Sequence, residues 1–170
     1  MAVIEAIATT YLEADVSSVT FSSLGSYEHL QLRCDARTDD TDKDMIKINF
    51  NGDTNSNYDR HYLRAYSAGV QTGAYPDADS SYGGWIPGAD LKAAEYGTTI
   101  IDILDYRNAS KNTTLIWLVG HAITGSPNMY FVSGVWRNTN AVTSIVATPR
   151  AGSNFRRGSE FSLYGLNSAN

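Results

Sequence analysis

Apolar side chains recur at every second position along most of this chain, with hydroxyl, amide or charged residues between them. Leu30, Leu32, Cys34 and Ala36 alternate with Gln31, Arg33 and Asp35; Ile46, Ile48 and Phe50 alternate with Lys47 and Asn49. A period of two is that of a strand with one dry and one wet face. The pattern predicts strands over 3–10, 16–22, 28–36, 44–50, 58–66, 97–106, 113–123, 129–136, 142–148 and 160–164. The most informative stretch runs from Val135 to Pro149 and on from Asn154 to Gly165, and reads as strand, turn, strand, turn, strand. Its last strand closes almost at the C-terminus, so its partners must come from far back in the sequence. Ten strands exceed what one open sheet holds comfortably. The expectation is an all-β, two-sheet antiparallel sandwich, a single domain over 1–170 with at most one short helix.

Two turns are legible. Asn51-Gly52-Asp53 follows an alternating run and supplies the positive φ of a tight reversal, and a second turn is predicted at Gly125–Asn128. Between Tyr66 and Tyr96 the periodicity fades. Residues 67–95 carry Gly69, Gly73, Gly83, Gly84 and Gly88 with Pro76 and Pro87, and are expected to form one long loop of the functional or interface-forming kind. Within it, Ala89–Glu95 has the composition of one or two helical turns, with Asp90 as cap.

Composition narrows the function. The 170 residues carry one cysteine, Cys34, so no internal disulfide is possible, and its alternating neighbours make it a small buried apolar residue. The start lacks the basic end and unbroken apolar core of a secretory signal, so synthesis and use without that export route are expected. No run reaches the ~18 apolar residues of a membrane span. Net charge is −5 and the basic residues are scattered, apart from Arg150, Arg156 and Arg157, which argues against a nucleic-acid partner. Arginine outnumbers lysine nine to four and tyrosine reaches eleven, a bias that favours contact surfaces.

Motifs for chemistry are sparse. Asp40-x-Asp42-x-Asp44 begins like a calcium loop, but Met45 stands where the sharp-turn glycine belongs and Asn51 where the bidentate glutamate belongs, leaving a solvated polar turn. His29, His61 and His121 have no ligand spacing; the first two are placed on strand faces and His121 as a hydrogen-bonded core residue. No nucleophile elbow occurs. Asp102, Asp105 and Glu160 are the carboxylates a glycosidase would have to use, with Asp102 and Asp105 on opposite sides of a strand. No catalytic residue, metal or cofactor is assigned. The candidate interface residues are Tyr58, Arg60, Tyr62 and Arg64, a stripe on one strand face wetter than a core, and Tyr75, Tyr82 and Trp85 in the long loop.

Several segments together resemble a known family. They are Val19-Thr-Phe-Ser-Ser-Leu24, Tyr27-Glu-His-Leu-Gln-Leu-Arg33, Ile48-Asn-Phe-Asn-Gly-Asp53, Ser56-Asn-Tyr58, Gly134-Val-Trp-Arg137, Ala141-Val-Thr-Ser-Ile145, Thr148-Pro149 and Gly158-Ser-Glu-Phe-Ser-Leu-Tyr-Gly165. In order and spacing they resemble small jelly-roll-like β-sandwich virion proteins of tailed bacteriophages, either capsid decoration (cement) proteins or tail-associated modules; residues 67–95 are poorly matched. The resemblance implies a non-enzymatic virion component, commonly a trimer, bound to the major capsid protein or another virion protein. A decoration role is the first expectation, supported by the length, which suits a free-standing protein. A tail module binding a glycan through Tyr75, Tyr82 and Trp85 is the alternative, and a polysaccharide-cleaving enzyme the third.

Overall fold

The structure, a computed structural model, describes residues 3–121 and 127–168. Its twelve strands are β1 (Val3–Tyr11), β2 (Val19–Phe21), β3 (His29–Ala36), β4 (Lys43–Phe50), β5 (Tyr58–Tyr66), β6 (Gly69–Ala78), β7 (Ser81–Pro87), β8 (Gly97–Leu104), β9 (Thr113–His121), β10 (Asn128–Trp136), β11 (Ile145–Pro149) and β12 (Glu160–Asn167). Every ladder is antiparallel. The strands form an eight-stranded sheet, β1-β12-β3-β8-β9-β10-β5-β6, and a four-stranded sheet, β2-β11-β4-β7. The chain is thus an all-β two-sheet sandwich. Set aside the terminal pair β1 and β12 and the hairpin β8–β9, and eight strands remain. In chain order, the first, eighth, third and sixth of these form the small sheet, while the second, seventh, fourth and fifth lie in the large one. That is the order of a jelly roll, with β8–β9 inserted between β3 and β10.

All ten predicted strands are present, with shifted ends. β2 is short, and Val16 makes only an isolated bridge to Phe155. The predicted end of the 113–123 strand and the turn at Gly125–Asn128 fall largely on 122–126, outside the described residues. The long loop is corrected: 67–95 contains two strands, β6 and β7. Its glycines are what lets β7 exist. A Cβ on Gly83 would stand 2.6 Å from Trp117, and one on Gly84 would stand 2.3 Å from Tyr130, so only glycine brings this backbone down onto the rings of β9 and β10. The predicted helical turns at Ala89–Glu95 do not form, and no described residue is helical. Arg37 is the cause. Its buried guanidinium donates to the carbonyls of Gly88, Ala89, Leu91 and Lys92, fixing them around one cation rather than along a helix axis.

The core follows the alternation. Leu30, Leu32, Ile46, Ile48, Phe50, Ile101, Ile103, Trp117 and Leu163 are at most 1% exposed. At one end, Trp136 lies edge-on to Phe50 and stacks on Tyr58, and its indole N–H donates to Asp53. Burial opposes charge on Asp53, but donors from Asn57, Trp136 and Asn55 prevail and hold its carboxyl down at about 2. The predicted Asn51-Gly52 turn is present, with both residues at positive φ, and the same aromatic cluster anchors it through Phe50 N–H donating to the Tyr58 hydroxyl.

The acidic run is more than a solvated turn. Buried Asp44 accepts the N–H groups of Met45, Ala151 and Gly152, and Asp39 accepts those of Ser153 and Asn154, so two carboxylates shape the loop that joins β11 to β12. Replacing a charged acceptor by a methyl group strands its donors. Asp44→Ala is therefore expected to lower stability by about 3 kcal/mol, read as a shifted urea midpoint at unchanged slope, while Asp44→Asn costs less.

Candidate functional site

Sequence reasoning singled out seven residues; the structure brings six of them together beside β7, while Tyr58 packs with Phe50 and Trp136. On β5 the even-numbered positions point inward: Tyr58 and Arg60 are buried, Tyr62 and Arg64 half-buried. The solvent-facing side carries Asp59, His61, Leu63 and Ala65 instead. This corrects the expected outward stripe, and its physical reason is β7. That strand edges the small sheet and lies over β9, β10 and β5, with a bulge at which Gly83 and Gly84 together oppose Ile46. Arg60 donates through one nitrogen to the carbonyls of Tyr82 and Gly83 at 2.9 Å each, filling the edge that the bulge opens.

Aromatic rings and cations interleave around this contact. The Arg60 guanidinium stands 3.6 Å from the ring centre of Tyr82, 4.7 Å from Tyr75 and 5.3 Å from Tyr62, and Arg150 approaches Tyr82 at 4.8 Å. Arg64 lies over Trp85 at 4.3 Å and over Tyr66 at 4.5 Å, and donates to the Tyr130 hydroxyl and to Gln71. Lys43 covers Trp85 at 5.4 Å. Tyr82 and Trp85 are thus strand residues, Tyr82 buried, with cations over their rings; of the seven, only Tyr75, 44% exposed, remains largely in solvent. Each ring–cation pair contributes on the order of 1 kcal/mol, more where water is excluded.

The outer face of the large sheet divides in two. Over β3 and β12 it is polar, with Gln31, Arg33, Asp35, Glu160 and Tyr164. Over β8, β9, β10, β5 and β6 two successive cross-strand rows carry no ionisable group: Ile100, Leu118, Phe131, Leu63 and Thr72, then Thr98, Gly120, Met129, Ala65 and Val70. Sequence reasoning missed this face, because its alternation is identical whichever way the strand is turned.

The remaining candidates are occupied structurally. Asp102 accepts from Gln31 on the outer face; Asp105 sits beyond the strand end at positive φ, paired with Lys111 and beside His29. Glu160 stands directly across from Asp35, whose carboxyl is pushed up by burial and then by the Glu160 charge. His61 and Ser133 face one another across β5 and β10, and with Asp59, Ala74 and Pro76 they line an open hollow of about 430 Å³. The Asp59 carboxylate there accepts the Asp77 N–H and pairs with Arg137. Among the described residues no three His, Cys, Asp or Glu side chains converge as a metal site requires. No family model, curated protein or solved structure matches the chain.

His121 is buried as expected but is not hydrogen-bonded through either ring nitrogen to a described residue. Burial, reinforced by the Lys43 charge, pushes its pKa from 6.5 down to about 4.

Two measurements test this end of the molecule. Arg60→Leu leaves the β7 carbonyls unmet and is expected to cost about 2–3 kcal/mol in urea denaturation, with Arg60→Lys recovering only part. In the unfolded chain His121 takes up its proton near 6.5, in the folded chain only near 4, so the unfolded state binds more protons between them. Stability is full above pH 6.5 and declines towards pH 4, by roughly 3 kcal/mol for this group, and His121→Leu is expected to flatten that slope.

Proposed function

We propose that the protein is a non-enzymatic virion component, a capsid decoration protein that binds the head shell and stabilises it against the pressure of packaged DNA. The observation carrying this reading is the jelly-roll strand order, a two-sheet sandwich whose described hollows are open, a form suited to contact with protein rather than to enclosing a substrate. The resemblance to phage virion proteins supports it. So does the use of Arg37, Arg60, Asp39, Asp44 and Asp53 in holding loops and strand edges. Individually weak contacts become effective when symmetry-related copies engage several shell sites at once. The partner would be the major capsid protein or a neighbouring shell protein, and the place of action the virion. Sugar binding through Tyr75, Tyr82 and Trp85 is less favoured, because cations already cover the rings of Tyr82 and Trp85.

The test is quantitation of the protein in purified particles, with sedimentation of added protein with DNA-filled heads. Copies in the hundreds, and saturable binding to heads, are expected. A few to a dozen copies, confined to tails, would sink the reading.

A further inference from the structure

We infer that the uncharged half of the outer sheet face is the seat of a second copy of this chain, the two packing face to face about a two-fold axis. Leu63, Val70, Ile116, Leu118, Met129 and Phe131 stand on this face between 36% and 69% exposed. Register makes them contiguous: Phe131 is opposite both Leu63 and Leu118, and Met129 and Val70 are both opposite Ala65. Together they present on the order of 500 Å² of apolar surface, at the upper end of what a monomer leaves uncovered. With their polar border, that approaches the roughly 800 Å² per partner of a stable interface.

Three features select the occupant. Contacts between independently folded partners are about as polar as the rest of a protein surface, whereas the interfaces of identical subunits are more apolar, and two uninterrupted rows without an ionisable group match the latter. A lipid surface would call for a cluster of lysine and arginine at the border. Arg33, across from Ile100, stands there among Asp35 and Asp102, with Asp59 and His61 farther along, and Arg137 is held by Asp59 and Asp77. The patch also runs to the sheet edge at β6, whose segment 69–75 carries no charge and so lacks the usual guard against pairing. A sheet face that meets itself gives two-fold symmetry, in place of the trimer implied by the family resemblance.

The proposal stands apart from the virion reading and is tested on purified protein alone. In sedimentation equilibrium at tens of micromolar, the wild-type chain is expected at twice its own mass. Phe131→Glu and Phe131→Lys are each expected to weaken pairing at least about a hundredfold and to sediment as single chains. An equimolar mixture of the two should regain the double mass, because the opposite charges meet across the axis. Val70→Glu, at a more exposed position, serves should the Phe131 variants fold poorly. Thr20→Glu, on the exposed side of the small sheet, should leave the mass of the wild type. A single-chain mass for wild type, undiminished pairing of properly folded Phe131→Glu and Val70→Glu, or no recovery on mixing folded Phe131 variants would each overturn it.

Discussion

Eight strands stacked on four cannot be covered along their whole inner face, and the unequal width of the two sheets governs the rest of the molecule. Where the small sheet ends, at β7, a bulged edge strand lies over β9, β10 and part of β5 while β6 extends beyond it. An apolar inner face would be left in water there, and bare edge carbonyls would be left without donors. The sequence answers with Arg60 and Arg64 between Tyr62, Tyr75, Tyr82 and Trp85. A guanidinium satisfies carbonyls in its plane and stacks on rings above it, so one side chain serves the edge and the overhang together. Lysine, a compact point charge, would not reproduce both contacts, which gives the excess of arginine a structural meaning.

The same economy governs the other polar groups. Arg37 gathers four carbonyls of the segment after β7, Asp44 and Asp39 gather the backbone donors of the loop before β12, and Asp53 ties the turn after β4 to Trp136. Each joins segments distant in sequence, as a fold dominated by long-range pairing requires. Groups that resemble chemistry when read locally, Asp39 and Asp44 of the acidic run above all, prove to be loop organisers, because a carboxylate accepting several backbone N–H groups is the most compact way to hold an irregular segment beside a sheet.

How far the fold could be read in advance depended on whether each strand carried its signal in its own side chains. The ten strands with alternating apolar residues were legible, including β5 to the residue. β6 and β7 were not, because what makes them strands lies elsewhere: Gly83 and Gly84 are needed by Trp117 and Tyr130, and locally they look like loop. Ala89–Glu95 misled for a similar reason, its helical composition being outweighed by Arg37, more than fifty positions upstream. Of the candidate interface residues, those on β5 share one face, yet β5 is turned the other way. Period two fixes which residues share a face and leaves open which face is dry.

That ambiguity has an energetic side. Turning β5 over would bury Leu63 and Ala65 and expose Tyr58, Arg60, Tyr62 and Arg64, the arrangement an isolated strand would favour. The observed orientation instead desolvates a guanidinium and leaves Leu63 in water, beside Leu118 and Phe131. The aromatic stack and the β7 carbonyls compensate the first cost. Nothing among the described residues compensates the second, because β9 and β10 turn their own apolar positions to the same side and extend the surface rather than cover it. An inverted strand at the end of a sheet is therefore only half explained by the sandwich it belongs to. Its inner face is accounted for by the edge it seals, and its outer face acquires a physical reason only when another surface of the same character is laid upon it.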